Sequence, residues 1–337
     1  MRKLRLGIIG TGIATNDLYF PHFAKLRSHI DFVAVANRRR SKAVAFAKRA
    51  GIARVHASGE ALLRDPEIEA VLLSLPIHLN ARWVMKALRA GKHVLCEKPI
   101  AATVEEGRRL VRDAGRFERV FLVGENYFFT PHIEKARSWV KKGALGDVRL
   151  VEAGQLFLTT PDNKYAKTVW RKRPKHLGGF VADAGVHVAN IVRETFGMPQ
   201  NVRNLTALQN PRLPPLDTAV AVFSLENGAL GVWKSCFSTR TSSEIPMLRV
   251  HGSRANLEVY YGRSELVVHG RKPVVVTSRE NGFYHEFLHF ASAVVGGEKL
   301  RFEPRAALAD LELMARIVRS TPLVPSRSRL VPSRSRH

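Results

Sequence analysis

The sequence predicts an α/β protein of two domains, a doubly wound parallel sheet followed by an α+β domain with a mostly antiparallel sheet. The chain has 337 residues, which exceeds the usual range of about 100–200 residues for one domain. In the first third, short runs of Val, Ile and Leu alternate with helical patterns, as in βαβ units. In the second part, strand patterns follow one another directly and are separated by turn residues.

Five apolar segments in the first third are predicted to form the parallel sheet. Their aliphatic content is typical of strands that are buried on both faces. The predicted strands span residues 4–10, 31–37, 69–76, 92–99 and 119–126, and the predicted helices between them span residues 41–50, 79–90 and 103–116. In these helices apolar residues recur three and four positions apart, and a glycine stands near the end of each. We assign residues 1–123 to this first domain.

The following residues, 124–320, are predicted to form the second domain. Helices near 131–142 and 187–196 and a strand near 147–158 come first. Strand patterns then dominate, at residues 217–225, 228–238, 247–250, 255–260, 265–269 and 273–278, before two helices at 284–295 and 304–319. Residues 321–337 contain the Pro-, Ser- and Arg-rich segment LVPSRSR twice in succession, which predicts a disordered tail.

The composition indicates a globular protein. Apolar residues make up 45% and charged residues 25% of the chain, as is usual for globular proteins. No segment approaches the roughly 20 continuous apolar residues that span a bilayer, and the start of the sequence shows no signal-peptide pattern. Cys96 and Cys236 lie far apart without metal-ligand spacing. We therefore expect a cytoplasmic protein without a membrane association, a disulfide framework or a metal site.

The formal net charge of +25 raises the question of nucleic-acid binding. However, the basic residues are distributed along the whole chain, whereas single-stranded nucleic acid is usually bound by a basic groove with interleaved aromatic residues. We therefore expect no nucleic-acid partner. The basic tail is more typical of a solvated or added segment than of a functional arm.

The first chemical motif is Gly10-Thr11-Gly12, which lies between the first predicted strand and the next helix. In this context Gly10 permits a tight turn, and Gly12 lets backbone N–H groups approach a pyrophosphate at the helix N-terminus. Thr15 stands where a third glycine or alanine is usual. Together with the predicted parallel strands, the motif favours a Rossmann domain in which Gly10, Thr11, Gly12 and Ile13 bind a dinucleotide.

The end of the second predicted strand indicates which dinucleotide is bound. A domain that binds NAD usually has an acidic residue here for the ribose, whereas this chain has Asn37 followed by Arg38, Arg39 and Arg40. Guanidinium groups offer planar, charge-assisted donors that suit the 2′-phosphate of NADP. We expect NADP(H) to be favoured, with Asn37 and Arg38 as contacts, and NAD(H) to be the alternative.

Lys98, Asp183 and His187 are the predicted catalytic residues. The segment Glu97-Lys98-Pro99 ends the fourth predicted strand, and the carboxyl ends of parallel strands line the ligand crevice. Asp183 and His187 are four residues apart and share one face if their segment is helical. A histidine can exchange a proton near neutral pH while a lysine polarises an oxygen. This combination suits the reduction of a carbonyl group or the reverse oxidation.

These motifs together resemble the Gfo/Idh/MocA family of oxidoreductases, which includes glucose–fructose oxidoreductase and inositol dehydrogenase. The resemblance rests on Gly10-Thr11-Gly12, Glu97-Lys98-Pro99 and Asp183-x-Gly185-x-His187, in this order, and covers about residues 4–320. It implies a Rossmann domain followed by an α/β domain with a large, open-faced, mostly antiparallel sheet that commonly mediates dimers or tetramers. It also implies sugars, inositols or related polyols as substrates.

The resemblance also implies roles for individual residues. Lys98 and His187 would act on the substrate oxygen, and Asp183 would orient the substrate or assist proton transfer. The residues expected at the cofactor are Leu75, Pro76, Asn80, Glu97, Lys98, Trp170 and Arg171, and those expected at the substrate are Lys98, Asn126, Asp183 and His187. The Lys98–Pro99 peptide bond is expected to be cis, as in relatives.

Three features depart from the pattern of the family. Asn80 stands where the family often has a histidine, and His78 lies two positions earlier. Asn190 replaces an acidic residue that often follows the catalytic histidine by three positions. The loop 125–129 lacks an arginine that is common there. These departures affect the expected choice of substrate more than the expected reaction.

The sequence thus predicts an oxidoreductase that transfers a hydride between NAD(P) and a hydroxyl or carbonyl group of a sugar, aldose or cyclic polyol. A non-catalytic regulator of the same fold, which senses NAD(P) or a sugar, is the alternative, because a fold alone does not establish an activity. We expect a homodimer or homotetramer.

Overall fold

The computed structural model describes residues 2–241 and 244–319. The tail predicted to be disordered, residues 321–337, lies outside these described residues, as does residue 320 at the end of the predicted second domain.

The N-terminal half contains a parallel sheet whose strand order is β3-β2-β1-β4-β5-β6, which confirms the doubly wound arrangement. The strands are β1 Leu4–Ile9, β2 Ile30–Ala36, β3 Arg54–Val55, β4 Ala70–Leu73, β5 His93–Glu97 and β6 Phe121–Gly124. The five predicted strands are confirmed. The sequence did not indicate β3, because its two half-buried residues do not form an apolar run.

Helices connect these strands across both faces of the sheet. They are α1 Phe23–Leu26, α2 Arg40–Ala50, α3 Gly59–Leu63, α4 Asn80–Arg89 and α5 Val104–Ala114. The predicted helices correspond to α2, α4 and α5 within two residues. The first connection is irregular, because a π-helix at Ala14–Tyr19 and a 3-10 helix at Phe20–His22 precede α1. Pro21 lies in this connection and cannot donate a backbone hydrogen bond to a regular helix.

The second half is built on a large mixed sheet with the strand order β14-β13-β12-β11-β7-β10-β9-β8. Its elements are α6 Pro131–Lys141, β7 Val148–Ala153, α7 Val169–Lys172, α8 Gly179–Phe196, β8 Gln200–Ala207, β9 Thr218–Ser224, β10 Leu230–Cys236, β11 Leu248–Gly252, β12 Ala255–Tyr260, β13 Arg263–Val268 and β14 Val274–Thr277. The β7–β10 pair is parallel and the other strand pairs are antiparallel. The predicted α+β domain with a mostly antiparallel sheet is confirmed.

Two elements of this half differ from the sequence prediction. The strand β8 was not predicted, because no residue of β8 is fully buried and its sequence QNVRNLTA is largely polar. The helix α8 begins at Gly179, eight residues before the predicted start at 187. Gly178 has a left-handed φ of 62° immediately before it, so the pair Gly178-Gly179 lies at the start of the helix. As a result, Asp183 and His187 lie on the same helix.

One face of the mixed sheet is open. Apolar side chains of β9 and β10 are exposed on it, including Val220, Val222 and Leu230, which are 45%, 53% and 62% exposed. The helices α6 and α8 pack on strands of the same sheet. The open-faced sheet that the resemblance implied is therefore present.

The two C-terminal helices, α9 Phe283–Gly296 and α10 Pro304–Val318, return to the N-terminal half. The side chain of Phe287 is fully buried, and its ring lies 5.2 Å from that of Tyr19 and 6.0 Å from that of Phe32. The helix α10 packs against both α5 and α8. The apolar core around the parallel sheet is thus completed by residues from the end of the chain, and the domain boundary at residue 123 stays a prediction.

The contribution of α9 to this core can be measured by Phe287→Ala. We expect the free energy of unfolding to fall by about 3–5 kcal/mol, because the substitution leaves a cavity among aromatic side chains. Denaturant unfolding of the purified protein measures this loss. Val44→Ala, at a residue of α2 that is 47% exposed, should change stability by less than about 0.5 kcal/mol. A loss equally small for Phe287→Ala would show that α9 does not stabilise the core.

Candidate active site

The glycine-rich loop leaves free space beside its backbone. Gly10 has a φ of 101°, and a Cβ atom there would lie 2.2 Å from the carbonyl oxygen of Ser74. A Cβ atom at Gly12 would meet no atom within 4 Å. Thr15, at the third position of the motif, is buried and donates its hydroxyl to the carbonyl oxygen of Gly10 at 2.7 Å. The loop therefore has the tight turn and the open approach that a dinucleotide pyrophosphate requires.

The side chain of Asn37 lies next to this loop at the end of β2. Its Nδ2 donates to Oγ1 of Thr11 at 2.7 Å, and its Oδ1 accepts from the backbone N–H of Arg39 at 2.9 Å. The side chains of Arg38, Arg39 and Arg40 are exposed. Within the described part of the chain, none of these three guanidinium groups has a hydrogen-bond or ion-pair partner. Their positive charges are therefore available at the edge where the ribose of a dinucleotide would lie.

Asn80 supports the turn at the end of β5. Its side chain is fully buried, and Nδ2 donates to the carbonyl oxygens of Glu97 and Pro99, both at 2.8 Å. The Lys98–Pro99 peptide bond is cis, as expected. Asn80 stands where the family that the sequence resembles often has a histidine, and its amide fixes the backbone that carries Lys98. A contact of Asn80 with the cofactor stays a prediction, as do those of Leu75 and Pro76, although Leu75 lies close to Gly10.

Lys98 and Arg171 both bind the carboxylate of Asp183. Nζ of Lys98 lies 3.0 Å from Oδ1 and also donates to the backbone oxygen of Asp183 at 2.6 Å, and Nε of Arg171 donates to Oδ2 at 2.6 Å. Burial favours a raised pKa for Asp183, but the charges of Arg171 and Lys98 outweigh burial and hold this pKa well below its usual range. Asp183 is therefore a carboxylate anion at neutral pH, with each of its oxygens engaged by a cation.

Trp170 and Arg171 lie together on the short helix α7. The guanidinium carbon of Arg171 lies 3.9 Å from the centre of the Trp170 ring and 5.2 Å from that of Tyr165. This stacking holds the arginine side chain toward Asp183. The pair that the resemblance singled out is therefore connected to the predicted catalytic residues.

His187 does not pair with Asp183, although the two residues share α8. Its Nδ1 lies 2.6 Å from Oε1 of Glu125, and its ring stacks on that of Tyr127 with a centroid distance of 4.4 Å and an interplanar angle of 16°. Sequence reasoning missed Glu125. The available signal was its position directly after β6, because Lys98 directly follows β5 and the two strands are neighbours in the parallel sheet.

Lys98, Asp183 and His187 line one cavity of about 580 Å³ between the two halves of the chain. The other side chains that line it include amides, aromatic rings and a guanidinium: Asn126, Tyr127, Gln155, Phe157, Asn163, Tyr165, Phe180, Tyr261, Arg279 and Phe283. The side chain of Asn126 is largely buried, and its Nδ2 donates to the backbone oxygen of Asn281 at 2.5 Å. The structure thus brings the three predicted catalytic residues to one cavity with mixed polar and aromatic walls.

Acidic groups are buried beneath this cavity. Burial raises the pKa of Glu97 to about 7, against the opposing effect of the charge of Lys98. Burial also raises the pKa of Glu286, and Glu97 adds to that increase. The hydroxyl of Tyr19 donates to Oε1 of Glu286 at 3.4 Å. These carboxyl groups favour the protonated form in the folded protein.

Asn190 belongs to a polar cluster behind the site. Its Nδ2 donates to Oδ2 of Asp310 at 2.9 Å, and Nε of Arg193 donates to Oδ1 of the same residue at 2.6 Å. Burial raises the pKa of Asp310 to about 7, although Arg193 opposes this change. The acidic residue that the sequence lacks at position 190 is thus replaced by an acid from α10.

His78 is half-buried, and burial lowers its pKa.

Residues 2–241 and 244–319 contain neither a candidate metal site nor a candidate membrane-spanning helix. No group of three or more His, Cys, Asp and Glu side chains is placed to hold a metal ion. No helix in the same part of the chain is long and apolar enough to cross a bilayer.

Two family models match the chain. A model described as an oxidoreductase family with an NAD-binding Rossmann fold matches residues 4–125. A second model, described as the C-terminal alpha/beta domain of the same oxidoreductase family, matches residues 137–322. The two matches correspond to the two halves of the structure described above.

Individual relatives are similar over nearly the whole chain. An oxidoreductase structure from Thermotoga maritima is 34% identical, with a TM-score of 0.89, and the match covers 95% of this chain and 97% of that one. The trans-1,2-dihydrobenzene-1,2-diol dehydrogenase of Bos taurus is 28% identical over 94% of this chain and 95% of its own. A levoglucosan dehydrogenase in complex with NADH and levoglucosan has a TM-score of 0.82 at 20% identity, covering 94% of this chain and 96% of that one, and shows the shared fold.

The raised pKa of Glu97 predicts how stability depends on pH. Its ordinary value is 4.5 and its value in the folded protein is about 7, so the protonated carboxyl stabilises the fold at low pH and this contribution is lost as the pH rises through about 7. Glu97→Gln removes this titration. Between about pH 4.5 and pH 8, the free energy of unfolding should fall by up to about 3 kcal/mol more in the parent protein than in the variant.

Denaturant unfolding without added cofactor at several pH values measures this difference. Glu118→Gln, at an exposed glutamate, serves as the matched control and should follow the parent protein. Parallel pH curves for the parent and Glu97→Gln would contradict the prediction.

Proposed function

The chain belongs to the Gfo/Idh/MocA family of oxidoreductases, and we propose that it transfers a hydride between a nicotinamide dinucleotide and a hydroxyl or carbonyl carbon of a sugar, aldose or cyclic polyol. The observation that carries this proposal is the meeting of Lys98 and His187 at one cavity between the two halves of the chain. The loop at Gly10 and Gly12 supports the binding of the cofactor, because a pyrophosphate fits the open space beside it.

The proposed roles follow from the hydrogen bonds of each residue. The nicotinamide, when bound, accepts or supplies the hydride. The ammonium group of Lys98 polarises the substrate oxygen, and Nε2 of His187 accepts the hydroxyl proton in oxidation and returns it in reduction. Asp183 is held as an anion by two cations, so it positions Lys98 and does not supply the proton.

Relatives and the cavity wall support the class of substrate. The names of the two relatives described above, a levoglucosan dehydrogenase and a dihydrobenzenediol dehydrogenase, refer to an anhydrosugar and a cyclic diol. The cavity combines amides such as Asn163 with aromatic rings such as Tyr165 and Phe180. Polar groups of this kind bind hydroxyls, and aromatic faces pack against the apolar face of a ring.

We further propose that NADP(H) is preferred over NAD(H). Asn37 is neutral and is bonded to the loop, while Arg38 is exposed beside it without an ion-pair partner in the described residues. A guanidinium group at this place forms charge-assisted hydrogen bonds to a 2′-phosphate. Position 37 carries no carboxylate, the group that usually accepts hydrogen bonds from the ribose hydroxyls of NAD(H).

The proposed activity is tested by the change in nicotinamide absorbance with a panel of sugars, aldoses and cyclic polyols, in both reaction directions. With a substrate from this panel, His187→Ala should lower kcat by about 10²–10⁴-fold, because general acid–base catalysis contributes that much. The dissociation constant of the cofactor should stay within about twofold. His269→Ala, at an exposed histidine of the second half, should retain full activity. Full activity in His187→Ala would contradict the assigned role, and no turnover by the parent protein would favour a sensing function.

The cofactor preference is tested by Arg38→Ala. We expect the affinity for NADPH to fall by roughly 10–100-fold, because a hydrogen bond to a charged group contributes about 1.5–3 kcal/mol, while the affinity for NADH should change by less than about twofold. Fluorescence titration of both cofactors measures this difference, and Arg64→Ala, at another exposed arginine, is the matched control. Equal losses for the two cofactors, or tighter NADH binding by the parent protein, would contradict the proposal.

A further inference from the structure

We infer that Glu125 is the positioning residue of His187, and that together with Tyr127 it fixes the imidazole with Nδ1 protonated and Nε2 free for the substrate proton. The inference rests on the role proposed above for His187. Glu125 lies 62 positions from His187 in the chain and was not among the residues that the sequence predicted.

The contact between the two side chains is short and shielded from water. The distance from Nδ1 of His187 to Oε1 of Glu125 is 2.6 Å, and Glu125 is only 1% exposed. This distance is slightly shorter than the roughly 2.7–2.9 Å of most charge-assisted N–H···O bonds, so the two groups are in close contact. Because a carboxylate can only accept, the imidazole must donate from Nδ1, and the neutral ring then carries its lone pair on Nε2.

The backbone around Glu125 holds the carboxylate in place. The 3-10 helix Asn126–Phe129 begins directly after it, and the same Oε1 accepts from the backbone N–H of Tyr127 at 3.3 Å. The backbone oxygen of Glu125 accepts from the N–H of Phe128 at 3.0 Å. The carboxylate is thus oriented by its own turn, and its direction does not depend on a flexible surface loop.

Tyr127 restricts the imidazole on a second side. Its ring is nearly parallel to that of His187, at a centroid distance of 4.4 Å, and lies edge-on to Tyr261 at 6.4 Å. A tilt of the imidazole would break either the stacking or the hydrogen bond to Glu125. The ring is therefore held with its Nε2 edge toward the cavity that both residues line.

Asp183 cannot replace Glu125 in this role. Its spacing from His187 suggests a pair on one helical face, but Oδ1 of Asp183 binds Lys98 and Oδ2 binds Arg171. The site therefore contains two separate units, one with Asp183 between two cations and one with Glu125 behind His187. When Nε2 accepts a proton in oxidation, the carboxylate of Glu125 stabilises the positive imidazolium without taking the proton itself.

Kinetics of Glu125→Gln and Glu125→Ala test the role in turnover. Glutamine keeps the shape but loses the negative charge, and alanine removes the acceptor altogether. We expect kcat to fall by about 10-fold or more in Glu125→Gln and by about 10²–10³-fold in Glu125→Ala, within the range of acid–base catalysis. KM and the dissociation constant of the cofactor should stay within about threefold, because the effect lies in the proton transfer. Full kcat in both variants would overturn the inference.

A direct readout is the tautomer of His187, measured by NMR of ¹⁵N-histidine-labelled protein with bound cofactor. His187→Gln identifies the signal by its loss. In the neutral ring of the parent protein, Nδ1 should carry the proton, and in Glu125→Ala this fixed tautomer should be lost. Glu286→Gln, at another buried glutamate, is the matched control and should leave the tautomer unchanged.

The tautomer also separates this inference from the proposed function, because it is measured without turnover. If the parent protein shows Nδ1 protonated but oxidises or reduces no substrate, the positioning role of Glu125 would stand and the proposed activity would be wrong. If the proton of the neutral His187 ring lies on Nε2 in the parent protein, the inferred role of Glu125 would be wrong, whatever the activity of the protein. Loss of kcat in Glu125→Ala with an unchanged tautomer would assign Glu125 a purely structural role and would likewise overturn the inference.

Discussion

The arrangement of the site depends on one buried carboxylate, that of Asp183, held between Lys98 and Arg171. An isolated carboxylate at this depth would cost several kcal/mol in lost hydration, and only opposite charges and hydrogen bonds on both oxygens offset that cost. Lys98 directly follows a strand of the parallel sheet, whereas Asp183 lies on the long helix of the second half. The same ion pair that neutralises the charge therefore ties the two halves together at the cavity.

A consequence of this arrangement is that Lys98 and His187 have separate carboxylate partners. Asp183 is fully engaged with Lys98 and Arg171, so His187 takes its partner from a different strand end, at Glu125. The buried acids Glu97 and Glu286 favour the protonated form, which limits the negative charge beneath the cavity. For the proposed hydride transfer, Lys98 would serve as the cation that polarises the substrate oxygen, beside an imidazole that Glu125 orients.

Much of the fold could be predicted from the sequence, because buried parallel strands produce apolar runs and amphipathic helices produce a regular repeat. The strands β3 and β8 could not, since the former has two residues and the latter is largely polar and has no fully buried residue. The helix start at Gly179 was hidden by glycines that usually indicate a loop. Lys98, Asp183 and His187 were predicted from motifs, but the partner of His187 depends on which strand ends become neighbours, and that is a property of the sheet order.

The return of the last two helices to the parallel sheet has a consequence for synthesis on the ribosome. Phe287 fills the core next to Tyr19 and Phe32, so the first strands cannot finish packing when they leave the exit tunnel. At about 5–20 residues per second, roughly 10–30 s pass between the emergence of residue 123 and that of α9. During this interval the apolar side chains that α9 covers in the folded protein are exposed to water.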